Sequence, residues 1–358
     1  MHVEVNGTRL WFDIDGPALV PDGPEMRERP TVVLLHGGPA SYDHSYLKPD
    51  FGRLSGEAQV VYLDLRAHGR SARDDPANWS FEVCADDLRA FCDTLGIVRP
   101  VVFGHSMGGF VAMVYGARHP GHAGARVLQS THARFDLARL VEGFRVAGGD
   151  EVARIAERDY GSDPSVTDDE WERCRVLFGP WVPGEQERAC IVRNPDVDAT
   201  GMELMGRFDV LGDLARVDCS TLVCVGEIDP VTPVAAAREI VDALPDGRAR
   251  LEVIEGAGHF PGGTPRPVLA YPQRLRDYGG VSAHPHLSLR CGLLLLHRPA
   301  PPQRQRQERD DERDAERGDA PPDPGDVVIP PDRAVDREAA WADCRQRHGD
   351  CEVCDLDL

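Results

Sequence analysis

The sequence predicts an α/β fold, a mostly parallel sheet flanked by helices and interrupted by a helical insertion. Three observations lead there. Short apolar runs alternate with stretches of helical spacing up to about residue 131, the rhythm of strands returning in one direction through helices. That rhythm stops between about 132 and 212 and then resumes. One apolar run ends in a Gly-X-Ser-X-Gly turn and passes straight into a helical stretch.

The elements follow in order. MHVEVNGTRLWFDIDG alternates apolar and polar residues around Asn6-Gly7 and reads as a β-hairpin without the apolar core of a signal peptide. Thr31–Leu35 (TVVLL) is a buried strand that runs into His36-Gly37-Gly38-Pro39, and Gln59–Leu63 (QVVYL) is the next, followed by DLRAHGRS from Asp64. Phe81–Leu95 has helical spacing and ends at Gly96, a C-cap. Pro100–Phe103 is a strand, Met107–Arg118 a helix stopped by Pro120, and Ala125–Gln129 a strand. The stretch 132–212 is charged, carries Trp171 and Trp181, and reads as a helical cap over a site. Thr221–Val225 and Arg250–Ile254 are strands with the helical stretch Pro233–Leu244 between them. In Pro267–Tyr278, Val268, Tyr271, Leu275 and Tyr278 share one helical face, as a last packing helix would. The expected organisation is a core of residues 1–131 and 213–279, a cap of 132–212 and a C-terminal extension of 280–358.

Composition narrows the function. A hydrophobic fraction of 41% over 358 residues is enough for a sizeable core. The formal net charge of −20 excludes a nucleic-acid partner, which needs a basic face. Lys48 is the only lysine, an arginine skew that reflects GC-rich coding DNA. Nothing before residue 340 has metal-ligand spacing among the 10 cysteines, and Cys84, Cys219 and Cys224 lie in segments that read as buried. Reduced thiols in a cytoplasmic protein are the expectation. No apolar run reaches the ~20 residues that cross a bilayer, so no membrane partner is expected. From about residue 298 the chain is rich in Pro, Arg and Asp and is expected to be disordered. Cys344, His348, Cys351 and Cys354 are too loosely spaced for a zinc knuckle.

Gly104-His105-Ser106-Met107-Gly108 carries the chemistry. Between a strand and a helix, such a turn exposes the serine hydroxyl at a helix N-terminus, where free N–H groups favour developing negative charge. A serine needs a base to take its proton. Of 13 histidines, His259 follows a strand and the compact turn Glu255-Gly256-Ala257-Gly258. The base needs a carboxylate to hold its tautomer; Asp229, after TLVCV, is preferred to its neighbour Glu227. Two N–H donors are needed for an oxyanion. Met107 follows the serine directly, and Gly38 lies where backbone comes close to substrate. His36, Gly37 and His105 are expected to line the substrate site. No cofactor or metal is expected, and the partner is a small-molecule ester or amide.

In this order and spacing, HGGP, DLRAHGRS, GHSMGG, GEIDP and GAGHF resemble the α/β-hydrolase superfamily over residues 1 to about 262. LHGGPASYDHSYLKPDF and DLRAHGRS are similar to its proline iminopeptidase-like branch. The resemblance implies an eight-stranded, mostly parallel sheet, a cap near 132–212, no metal or organic cofactor, and cap carboxylates that bind a substrate amine, for which Glu203 and Asp209 stand as candidates. Asp64-Leu65-Arg66-Ala67 and Met107 depart from that branch, where a DQRG-type segment and a tryptophan are common. GHSMGG is shared with esterases, lactonases and C–C bond hydrolases, and a non-catalytic receptor of the same fold is a further alternative. Ser106 argues against the dehalogenases and epoxide hydrolases of this fold, which use aspartate. Such hydrolases end about twenty residues past the histidine, so residues after about Gly262 are expected to be a frameshifted or chance extension.

Overall fold

A computed structural model describes residues 1–39, 41–163, 165–179 and 188–261. Contacts divide the chain into Met1–Ala283 and His284–Leu358, and all described residues belong to the first unit. Trp181, the helical face at 267–278 and the C-terminal cysteine cluster lie outside the described residues.

An eight-stranded sheet has the order β1-β2-β6-β5-β7-β8-β9-β10. Its strands are β1 (His2–Val5), β2 (Thr8–Asp15), β5 (Thr31–Leu35), β6 (Gln59–Leu63), β7 (Val101–His105), β8 (Ala125–Gln129), β9 (Ser220–Gly226) and β10 (Ala249–Ile254). The Asn6-Gly7 turn takes positive φ at both residues and folds β1 back antiparallel on β2. β2 is antiparallel to β6, and the remaining six strands run parallel. Parallel strands covered on both faces are apolar at every position, and Val33, Leu34 and Leu35 of β5 are 0% exposed. A two-stranded hairpin, β3 (Leu19–Asp22) with β4 (Glu25–Glu28), stands apart from this sheet.

Two apolar layers cover the sheet. One is built on α2 (Phe81–Leu95) and α3 (Met107–Arg118), with Phe81, Leu88, Phe91, Phe110 and Val111 buried. The other gathers Tyr46, Leu47 and Phe51 from the short helical turns around α1 (Lys48–Phe51) with Phe103 and Phe144. α2 starts where the Ser80 hydroxyl accepts the Val83 N–H and ends at Gly96 with φ 66°.

Between β8 and β9 lie α4 (Leu137–Tyr160), α5 (Asp168–Arg175) and α6 (Asp198–Gly206). Gly149, at φ 84°, breaks α4 into two helical segments, and a Thr167–Glu170 capping box starts α5. The ends of this insertion pair: Phe135 N–H donates to Phe208 O at 2.9 Å and Val210 N–H to Ala133 O at 2.8 Å. Glu239 on α7 (Val234–Ala243) receives Arg134 at 2.7 Å and Arg139 at 2.9 Å beside this root.

The structure extends the strand expected at Pro100–Phe103 to His105, the residue before the serine. β3 and β4 had no sequence signal because neither strand buries a face. Cys84, Cys92, Cys174, Cys219 and Cys224 are buried free thiols and Cys190 is an exposed one. Among the described residues no helix is long and apolar enough to cross a membrane.

Candidate active site

The parallel strands all deliver their carboxyl ends to one edge, where ligands of open α/β sheets bind. At the end of β7 the chain turns sharply into α3 through Ser106, whose φ of 51° and ψ of −118° lie where a non-glycine residue is strained by roughly 1–3 kcal/mol. The turn is held from three sides. Ser106 N–H donates to Gln129 O at 3.0 Å, while Ser106 O accepts the Gly109 N–H at 2.8 Å and the Thr131 hydroxyl at 2.9 Å. Its tightness requires glycine: a Cβ at Gly104 would stand 2.3 Å from Gly108 O, and one at Gly108 2.3 Å from Leu35 O. The N–H of Met107, first in α3, has no intrahelical partner. Among the described residues neither it nor the Gly38 N–H donates a hydrogen bond.

His259 and Asp229 arrive from the turns after β10 and β9. His259 Nε2 is 3.2 Å from Ser106 Oγ, and Nδ1 is 3.1 and 3.0 Å from the two Asp229 oxygens. A carboxylate only accepts, so Nδ1 carries the proton and Nε2 is free to accept the serine O–H. Asp229, 3% exposed, also accepts the Val231 N–H at 2.9 Å, the Thr232 N–H at 3.0 Å and the Thr232 hydroxyl at 2.6 Å. Burial pushes its pKa up, but His259 and the Thr232 bonds outweigh it and hold the carboxyl below its ordinary value. Glu227 does not reach the imidazole. It is exposed and accepts the Gly256 N–H at 3.0 Å, shaping the turn before His259.

His259 is also fixed from the insertion: its N–H donates to Phe178 O at 2.7 Å, and the Phe178 ring lies edge-on to the imidazole with centroids 5.4 Å apart. His132, just past β8, packs against Phe110 and Phe135. Burial, then the neighbouring His259, lowers the His132 pKa to about 3.

Three residues expected to line the substrate site have their polar groups bound within the protein. His36 is fully buried: its Nδ1–H donates to Gly37 O at 2.6 Å and its Nε2 accepts the Leu65 N–H at 3.2 Å. The Gly37 N–H donates to Tyr46 Oη at 2.8 Å. His105, 2% exposed, has Tyr46 Oη at 2.7 Å from Nδ1 and His259 O at 2.8 Å from Nε2. Their polar atoms are spent on the protein itself. Glu203 and Asp209 are exposed instead: Glu203 pairs with Arg207 at 2.7 Å, and Asp209 accepts the Leu211 N–H at 3.1 Å. Tyr46, Thr232 and Phe178 had no sequence signal, since only the fold brings them to the site.

Asp43, His44 and Asp64 are the only group among the described residues with metal-ligand proximity. Their oxygens are already engaged. Asp64 takes the His44 ring at 2.7 Å and the Arg70 N–H at 2.8 Å, and Asp43 takes the Arg70 guanidinium and the Val192 N–H, each at 2.9 Å. A cleft of about 630 Å³ lined by Asn6, Arg66, Asp74, Trp79 and Asp87 includes none of the residues around Ser106. Its Arg66 is bound by Asp87 and Asp74.

Known proteins agree with this architecture. The α/β-hydrolase fold family matches residues 30–156. A proline iminopeptidase of Lactiplantibacillus plantarum is 31% identical over 255 residues, covering 62% of this chain and 84% of that protein. The chain belongs to the α/β-hydrolase family. Another proline iminopeptidase, from Pestalotiopsis fici, is 24% identical over 272 residues, 72% of this chain and 92% of that one. Among solved structures, an esterase from Thermogutta terrifontis is similar with a TM-score of 0.56 and 26% identity, covering 78% of this chain and 99% of that one. This member of the family is a hydrolase of the α/β-hydrolase type that resembles the proline iminopeptidase branch.

Proposed function

We propose that this chain is a serine hydrolase that cleaves a small ester or amide through an acyl-enzyme on Ser106. One observation carries the reading: Ser106 Oγ, His259 Nε2, His259 Nδ1 and Asp229 form an unbroken hydrogen-bonded line at the sheet edge.

His259 takes the Ser106 proton as the oxygen attacks the substrate carbonyl, and Asp229 stabilises the imidazolium that forms. The oxyanion meets the N–H groups of Met107 and Gly38. Collapse of the tetrahedral intermediate transfers the His259 proton to the leaving alcohol or amine and leaves an acyl-serine. A water then gives its proton to His259, attacks the acyl carbon and releases the acid, and the proton returns to Ser106. Phe178 of the insertion packs its ring against His259 and limits water there. Labelling by a fluorophosphonate in the parent chain, lost in Ser106→Ala, is the expected result; an equally labelled variant refutes the assignment.

Proline iminopeptidase activity is the sharper reading, favoured by the named relatives. Exposure of Glu203 and Asp209 favours the broader one, because an amine bound by solvated carboxylates gains little. Proline-naphthylamide against p-nitrophenyl acetate separates the two: faster turnover of the ester, by kcat/KM, is the expected outcome.

A further inference from the structure

Three site loops meet at a single buried pair of side chains. Gly37, in the loop after β5, donates its N–H to Tyr46 Oη at 2.8 Å; Tyr46 Oη lies 2.7 Å from His105 Nδ1, and His105 Nε2 lies 2.8 Å from His259 O. Only one proton arrangement of a neutral imidazole satisfies all three contacts. A carbonyl can only accept, so His105 Nε2 carries the proton and Nδ1 is bare. Tyr46 must therefore point its O–H at Nδ1 while its lone pair accepts the Gly37 N–H. The rings pack closely, with Phe260 5.0 Å from His105 and 5.8 Å from Tyr46.

We infer that Tyr46 and His105 are positioning residues, which hold the oxyanion loop at Gly37-Gly38 and the backbone of His259 in register with Ser106. The inference rests on the serine-hydrolase reading. His105 precedes the serine, so one side chain ties the base to the turn that carries the nucleophile. With the His259 N–H bound to Phe178 O at 2.7 Å, both backbone polar groups of the base are held. Burial, reinforced by His259, lowers the His105 pKa to about 3, which keeps the ring in the neutral form that this directionality needs.

Tyr46→Phe removes both hydrogen bonds of the hydroxyl and keeps the ring. His105→Leu removes the donor to His259, and His105→Gln restores an amide that can reach the same carbonyl. Displacement of a reacting group by about 1 Å can cost about 100-fold in rate. With p-nitrophenyl acetate, kcat is expected to fall roughly 10-fold in Tyr46→Phe and about 100-fold in His105→Leu. KM should stay within about 2-fold, the acid limb of the kcat–pH profile should move, and His105→Gln should recover most of the loss. Parental kcat and pH profile in Tyr46→Phe overturn the proposal, as does a His105→Leu loss that tracks melting temperature and is not recovered by glutamine. If His105→Leu does not fold, Tyr46→Phe decides alone. Nitrogen-15 shifts in Ser106→Ala provide a readout independent of turnover: an Nε2–H tautomer at His105 supports the relay, and an Nδ1–H tautomer refutes it. Parental-level turnover in Ser106→Ala would instead sink the serine reading.

Discussion

The carboxyl edge of the sheet and the inserted cap handle polar groups in opposite ways. At the edge, Asp229, Asp64 and His105 are buried, and each meets at least two protein groups. In the insertion, Arg207–Glu203, Arg173–Glu151 and Arg145–Glu142 pair on the surface as exposed side chains. A buried polar group without partners is expensive, so edge residues are over-determined and their geometry is rigid. Solvated pairs are worth little, so the cap can change sequence at small cost. Under the proposed function, this contrast assigns the chemistry to the edge and the selectivity to the insertion.

The comparison breaks most directly at the edge. Replacing the proposed nucleophile, Ser106→Ala, should reduce turnover on the order of a million-fold, read with p-nitrophenyl acetate. Asp229→Asn should cost roughly 10⁴-fold in kcat by favouring the wrong imidazole tautomer, whereas Glu227→Gln should stay within about 3-fold of the parent because that side chain only accepts from Gly256. Similar losses in the two variants would reassign the acid.

Acid sensitivity should also come from the edge. His68, His105 and His132 have pKa values lowered by burial from 6.5 to about 3. Below pH 6.5 the unfolded chain takes up protons that the folded chain refuses, so stability is full above that pH and is lost as pH falls towards 3. A melting temperature flat from pH 6.5 to 4.5 would contradict this. Gly108→Ala forces a Cβ to within 2.3 Å of a backbone oxygen, and such overpacking costs about 1–3 kcal/mol. In a domain of this size that lowers the melting temperature by roughly 2–4 °C per kcal/mol, measured by calorimetry. The smallest effect belongs to the cap: Arg207→Ala should change stability by less than about 0.5 kcal/mol in denaturant titration. A larger loss would mean that the cap's surface pairs matter as much as the edge.

Legibility in the sequence follows the same divide. β5, β6, α2, α3 and β8 have the expected ends, because apolar runs there are bounded by Gly, Pro or a capping Ser. Ser106, His259 and Asp229 were selected by their place at strand ends, and the structure brings them within hydrogen-bond distance. The hairpin β3–β4 was illegible because both strands are largely solvated. His36 and His105 are buried, and nothing local in the sequence encodes that.

By itself, then, the sequence determined the parallel sheet, the serine turn and the strand ends that carry Asp229 and His259, since these depend on apolar periodicity and on glycines that must sit beside crowded backbone. Tertiary structure alone decided how Tyr46 joins three loops, how Thr232 holds Asp229 and where Phe178 of the insertion meets His259. Those choices are made by contacts between residues up to 154 apart, and a local pattern holds no record of a partner that distant.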